Sequence, residues 1–231
     1  HIIFDKITVT GTANIVMAAA LAKGKTTITN AEREPEVVQM CEVLKASGVS
    51  IEGIGTNELV IFGTDRRLVT MENFSVIPDR IEAGTFLAAA AISGDHVRLL
   101  RVNPLHLKAV IDPLVDAGFL IEANGNEISI RPGVKRRPLK LDTLPYPAFP
   151  TDMQAQMCAL LATTEGISVV TENVFPHRFM HVAELKRMGA DIDLQGATLV
   201  IKGVPQLSGA PVMASDLRAS AALVLAGLQA D

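Results

Sequence analysis

A chain of 231 residues with 48% hydrophobic and 20% charged side chains carries enough apolar material for a folded core and excludes intrinsic disorder. Its formal net charge of −4 offers no electrostatic footprint for nucleic acid or an anionic membrane, and no apolar run reaches the ~20 residues that span a bilayer. Two cysteines, Cys41 and Cys158, both inside apolar periodic segments, exclude a disulfide framework; they read as small buried hydrophobes in a reducing compartment.

In chain order, His1 opens a strand-like run, with no sign of a secretory leader, and residues 6–9 alternate as an ordinary strand would. An Ala-rich apolar helix over 13–23 stops at Gly24, and a Thr-rich strand follows at 26–29. Pro35 opens a second helix that ends at Gly48, and two short alternating strands, 49–52 and 59–62, close the unit. The same order then recurs. Gly94, Pro104 and Gly118 take the corresponding places, with Asn124-Gly125 as the hairpin turn; Gly166, Pro176 and Gly189 take them again, with Gln195-Gly196 at the turn. A fourth unit starts at Ser215-Asp216-Leu217, and its helix reaches Gly227. The glycines that end the first helices, Gly24, Gly94 and Gly166, repeat at about 70 residues, the mark of a tandem βαβαββ array. The first helix of each unit is apolar nearly all round and is expected to be buried; the second helices are amphipathic. Lys135-Arg136-Arg137, between Pro132 and Pro138, reads as a solvated loop.

The chain opens on that run, not on Met, and stops at Asp231 directly after an apolar helix. The expectation is an internal piece of a longer polypeptide, with an incomplete last unit whose exposed helix or sheet edge invites self-association.

Several longer words occur in order: Ala31-Glu32-Arg33-Glu34-Pro35-Glu36, Pro78-Asp79-Arg80-Ile81-Glu82-Ala83-Gly84-Thr85-Phe86, Phe149-Pro150-Thr151-Asp152-Met153-Gln154-Ala155-Gln156, residues 173–179 with His181, Ser208-Gly209-Ala210, and Ala214-Ser215-Asp216-Leu217-Arg218-Ala219-Ser220. Through these words the whole chain resembles the enolpyruvyl transferases, and within them the branch using UDP-N-acetylglucosamine. The resemblance implies a mixed α/β fold (of α+β type) in which tandem βαβαββ units build inside-out α/β barrels, or alpha-beta prisms. Residues 1–73 are then the last unit of one domain, 63–74 the crossover, and 74–231 two units and the start of a third from the other. The implied reaction moves an enolpyruvyl group from phosphoenolpyruvate to the 3′-hydroxyl of UDP-N-acetylglucosamine with release of phosphate. It opens peptidoglycan precursor synthesis in the cytoplasm and needs neither cofactor nor metal. No nucleic acid or membrane partner is expected.

The resemblance assigns roles to particular residues, and each has a plainer alternative. Asp152 matches the carboxylate that acts as base on the sugar hydroxyl, with Thr151 beside it; either could equally cap the apolar helix that follows. Asp216 matches a carboxylate near the reacting centre, or caps its helix in competition with Ser215. Val174, Phe175 and Arg178 match the sugar-nucleotide site, although Arg178 could instead pair with Glu172 or Glu184. Arg178 and His181 would share a helix face, with His181 structural. Lys6, Ile7, Thr8 and Val9 match a segment that contacts the uridine diphosphate. Glu34 and Glu36 flank Pro35 at the cleft, or simply complement a helix dipole. Asp79, Arg80 and Glu82 read as a structural charged cluster. The reactive loop acid and several phosphate-binding arginines of the family have no counterpart in the sequence, so the chain alone is expected not to turn over. The alternatives are a shikimate-type enolpyruvyl transferase, an RNA 3′-phosphate cyclase, whose histidine signature is not evident, and a non-catalytic binding or scaffold piece of the same fold.

Overall fold

The computed structural model describes residues 1–67, 70, 71 and 73–231. The crossover expected over 63–74 contains Leu68, Val69 and Glu72, which lie outside the described residues. The chain forms two compact units, residues 1–77 with 145–147, and residues 78–144 with 148–231.

The first unit runs β1 (Ile2–Ile3), α1 (Val9–Leu21), β2 (Lys25–Thr29), α2 (Pro35–Ala46), β3 (Ser50–Glu52) and β4 (Glu58–Phe62). Its sheet has the order β1-β2-β4-β3, with β1 parallel to β2 and the other pairs antiparallel. Residues 6–9 are not a strand. β1 ends at Ile3, and Thr8 caps α1, its hydroxyl accepting from the Gly11 N–H at 3.2 Å, so Val9 is already helical. That cap satisfies one of the donors that a helix start leaves open, which outweighs the short alternating pattern. Pro35 at the first position, Glu36 in the first turn and Lys45 in the last start and close α2 in the sense its dipole favours. The core gathers Val16, Ala19, Ile28, Val37, Cys41, Ile51, Leu59 and Ile61. Burial, with Glu42 nearby, pushes the Cys41 thiol up to about 11, so it stays protonated and unreactive at neutral pH.

The second unit continues with α3 (Arg80–Ser93), β5 (Val97–Leu100), α4 (Lys108–Asp116), β6 (Leu120–Asn124), β7 (Glu127–Arg131) and β8 (Lys140–Thr143). It ends with α5 (Gln154–Leu161), β9 (Ile167–Glu172), α6 (Met180–Arg187), β10 (Asp191–Gln195), β11 (Thr198–Lys202) and α7 (Leu217–Gly227). Its sheets read β5-β7-β6 and β8-β9-β11-β10. The latter repeats the order of the first unit; the middle repeat departs from it, since no strand lies between β4 and α3 among the described residues. Asp79 is a helix cap, accepting from the N–H groups of Ile81 and Glu82. The hairpin turns fall one residue later than expected, at Gly125-Asn126 and Gly196-Ala197, because Asn124 and Gln195 still pair across the ladders with Glu127 and Thr198. Arg136 is half-buried: its guanidinium donates to the carbonyls of Ala91 and Ile92 at the end of α3, at 2.8 and 3.1 Å, and lies over the Phe119 ring. Lys135 of that basic run reaches a surface pair, with Glu165.

Helices α3, α5 and α7 pack against one another, and all eight residues of α5 are buried. No helix among the described residues is long and apolar enough to cross a membrane.

Candidate active site

At one end of this helix trio a cavity of about 500 Å³ is lined by Asp152, residues 175–178, Met180 and the start of α7 at Asp216, Leu217 and Arg218. All of these belong to the second unit. Asp152 sits in the 3-10 turn Thr151–Met153 before α5, and its carboxylate caps nothing. Instead Arg178 Nη1 donates to its Oδ1 at 2.5 Å and Arg218 Nη2 donates to its Oδ2 at 2.6 Å. Burial works to raise the Asp152 pKa, but the hydrogen bond from Arg178 and the charge and hydrogen bond of Arg218 outweigh it and hold the carboxyl below its usual range. Two guanidinium groups thus converge on one carboxylate at the cavity wall. The geometry suits an anionic ligand that takes over part of this pairing.

Arg178 lies before α6, not within it, so it shares no helix face with His181. Pro176-His177 form a turn, the Arg178 N–H donates to the Phe175 carbonyl at 3.0 Å, and the helix begins only at Met180. The Phe175 ring lies under the guanidinium, 4.6 Å from its centre, a cation–π contact. The ion pair with Glu172 or Glu184 does not form: Arg178 pairs with Asp152, and Glu184 pairs with Arg187. His181 is buried against the start of α7, and that burial lowers its pKa to about 4, against an opposing pull from Asp216. Asp216 caps α7, its Oδ1 accepting from the N–H groups of Arg218 and Ala219 at 2.8 Å each, and also lines the cavity. Ser215 does not take that role.

Thr151, Asp152, Phe175, Arg178 and Asp216 therefore come together, with Val174 in the same loop. Lys6, Ile7, Thr8, Val9, Glu34 and Glu36 belong to the first unit. There the α1 start carries exposed Lys6 close before it, and no acidic residue stands in its first turn. Thr8 and the turn before α2 are tied together: the Thr12 hydroxyl donates to the Thr8 carbonyl at 2.7 Å and accepts from the Glu32 N–H at 3.0 Å. Glu34 occupies the cap position of α2 without a side-chain capping bond. Among the described residues no cluster of His, Cys, Asp or Glu is arranged to hold a metal ion.

The family model for EPSP synthase (3-phosphoshikimate 1-carboxyvinyltransferase) matches residues 1–231, the whole chain. The chain belongs to the EPSP synthase family. Within this family it is 58% identical over 231 residues to the UDP-N-acetylglucosamine 1-carboxyvinyltransferase of Sulfurimonas denitrificans, covering all of this chain and 55% of that protein. It is 56% identical over 230 residues to the enzyme of the same name from Wolinella succinogenes, again covering 55% of it. The chain thus spans about 55% of the length of the curated relatives it matches. Among solved structures it is similar to the enolpyruvyl transferase NikO from Streptomyces tendae, with a TM-score of 0.79 at 28% identity over 91% of this chain and 50% of that one. EPSP synthase from Acinetobacter baumannii gives a TM-score of 0.71 at 22% identity, over 99% of this chain and 56% of that one, and shares the fold. The fold is that of the enolpyruvyl transferases.

Two residues of the site escaped the sequence reading. Arg218 was seen only as a neighbour of Asp216, and Glu172 only as a surface partner. A signal for Glu172 was present: in β9 the alternation that buries Ser168 and Val170 also carries Glu172 inward.

Proposed function

We propose that this chain contributes one wall of the active site of an enolpyruvyl transferase acting on UDP-N-acetylglucosamine. The observation that carries the reading is Asp152 held between Arg178 and Arg218 at the cavity. The names of the relatives support the choice of acceptor, and the match of Asp152, Asp216, Val174, Phe175 and Arg178 to the family words supports the placement. In this reading residues 1–73 are the last unit of one domain and 74–231 belong to the other. Lys6, Ile7, Thr8 and Val9 receive the diphosphate at the positive end of α1, and Glu34 and Glu36 lie on the substrate side of the same unit.

The reaction adds the sugar hydroxyl across the double bond of phosphoenolpyruvate. The hydroxyl proton leaves to a base, oxygen bonds to the central carbon, and an acid protonates the methylene carbon. Phosphate then departs as that methyl group loses a proton, which regenerates the double bond. Asp152 is the base. With both its oxygens engaged by guanidinium groups it is a weak one, so substrate anions that draw Arg178 and Arg218 away raise its basicity when the hydroxyl is in place. Asp216, fixed by its own cap, stays beside the reacting centre.

The same reading makes the protein cytoplasmic and part of cell-wall synthesis, with consequences for cell shape and division, and with no nucleic-acid partner. The exposed Val224 on α7 and Leu228 just after it support self-association of the chain. The chain alone is expected to release no phosphate from phosphoenolpyruvate in a coupled assay.

Calorimetric titration tests the core of the proposal. UDP-N-acetylglucosamine is expected to bind, with UDP-galactose and shikimate 3-phosphate as weaker competitors. Arg178→Ala and Arg218→Ala are each expected to weaken binding roughly tenfold or more, the worth of one charge-assisted contact. Preference for shikimate 3-phosphate would move the chain to the other branch, and equal binding by wild type and both variants would sink the placement.

A further inference from the structure

We propose that Glu172 is the positioning residue of the Arg178 guanidinium, acting through the Thr151 hydroxyl and through the loop that carries Phe175. It rests on the proposed function only in taking Arg178 as a ligand-binding group.

Glu172 ends β9 and is 1% exposed. Its Oε1 accepts from the Thr143 hydroxyl at 2.8 Å and from the N–H groups of Val174 and Phe175 at 2.8 and 2.9 Å. Its Oε2 accepts from the Thr151 hydroxyl at 2.9 Å. No cation pairs with it among the described residues. A carboxyl group buried this deeply is costly unless its oxygens are filled, and four neutral donors fill them.

The Thr151 hydroxyl has one hydrogen. Given to Glu172, it leaves the oxygen lone pairs facing Arg178, whose Nη1 donates to that oxygen at 3.3 Å and to Asp152 at 2.5 Å. The direction of the chain Arg178 to Thr151 to Glu172 is therefore fixed by the carboxylate at its end. On its other side Arg178 stacks on Phe175, the residue whose N–H Glu172 holds. Both contacts that orient the guanidinium, besides its ion pair, trace back to one buried side chain.

The fold itself does not call for a carboxylate here. Ile28, Leu99 and Val170 occupy the same ladder position in the three repeats, opposite Leu59, Ile128 and Leu199. Two residues further on stand Asn30, Arg101 and Glu172. Asn30 merely donates to the Phe4 carbonyl, and both Asn30 and Arg101 turn the chain with positive φ, at 60° and 57°. Only the repeat that builds the cavity places an acceptor-only side chain there.

Glu172→Gln separates positioning from folding. Its carboxamide oxygen keeps the three donors at Oε1, so the loop stays closed. Its NH2 group then faces Thr151, which must accept, and the hydroxyl hydrogen turns toward Arg178. Thr151→Val removes the relay while leaving Glu172 in place, and it carries the test if the Gln variant does not fold. The readout is the rotation rate of the Arg178 guanidinium about its Nε–Cζ bond, by nitrogen NMR on the unliganded chain. Both variants are expected to rotate about tenfold faster than wild type, the worth of one hydrogen bond, with no further gain in the double variant. Arg187→Gln, in the exposed pair with Glu184, is expected to change nothing. Affinity for UDP-N-acetylglucosamine should fall by a similar factor in the two relay variants. Unchanged rotation in Thr151→Val would overturn the proposal. Failure of wild type to bind the nucleotide would overturn the functional reading instead, and the rotation rates would still decide this one.

Discussion

Helices α1 and α5 fill the same place in two βαβαββ repeats, yet they live in different surroundings. The ladders align them: Ile28 in β2 and Val170 in β9 pair equivalently, which puts Val16 opposite Cys158, Met17 opposite Ala159 and Ala18 opposite Leu160. Val16 and Cys158 are both fully buried against their own sheets. One residue along, the helices part. Met17 is 49% exposed where Ala159 is 0% exposed, and Ala18 is exposed where Leu160 is buried. The difference is the number of neighbours, since α5 packs against α3 and α7 as well as its own sheet. Strand order and helix position follow from local sequence, while burial of the outer helix face depends on how many repeats gather around it.

The sharpest way to break this comparison is to exchange the residues at one equivalent position between the two helices. Leu160→Ala is expected to cost the second unit about 2–5 kcal/mol, the range for a fully buried leucine whose neighbours cannot collapse into the gap. Ala18→Leu, which writes the α5 residue into α1, should leave stability within about 0.5 kcal/mol. Denaturant unfolding of both variants checks the pair. If Leu160→Ala costs under about 1 kcal/mol, the helix trio is not the core it is taken for.

How far the sequence itself disclosed the molecule follows the same division. Gly48, Gly94, Gly118 and Gly189 as helix stops, and Pro35 as a helix start, were legible because each is a short-range matter of backbone geometry; the hairpin turns were legible to within one residue, whereas α1 and α5 end before Gly24 and Gly166, and α6 starts only after Pro176. Asp216 as a cap was legible for the same reason. The missed side-chain roles depend on distant partners. Arg136 reads as a solvated cation until α3 supplies carbonyls for it, and Asp152 reads as a cap until Arg178 and Arg218 arrive from residues far along the chain. The strand that alternation over residues 6–9 suggests is overturned locally, since the Thr8 cap already starts α1 at Val9.

His181 gives a medium-sized test at the contact of α6 with the start of α7. Its ring is buried, its Nε2 has no hydrogen-bond partner among the described residues, and burial holds its pKa near 4, with Asp216 opposing. Unfolded, the ring binds a proton near 6.5. Between those values the unfolded chain holds more protons, so stability falls as pH drops from about 6.5 to about 4, by up to about 1.4 kcal/mol per unit. His181→Gln should flatten that window. The loss of stability at still lower pH, where the depressed Asp152 carboxylate finally protonates, should remain. An unchanged slope between pH 6.5 and 4 would mean that His181 is charged, or reached by water, in the folded protein.

The smallest expected effect bears most directly on the comparison. Met17→Gln, at the outer face of α1, swaps one flexible unbranched side chain for another of similar helix propensity. With half of its surface already in water, the change should move stability by less than about 0.5 kcal/mol. Hydrogen exchange across α1 should be equally unmoved. A loss approaching that of Leu160→Ala would mean that something packs on this face in solution. The concentration dependence of the loss would then identify it: a loss that shrinks on dilution points to a second copy of the chain, and one that does not change points to a contact within it.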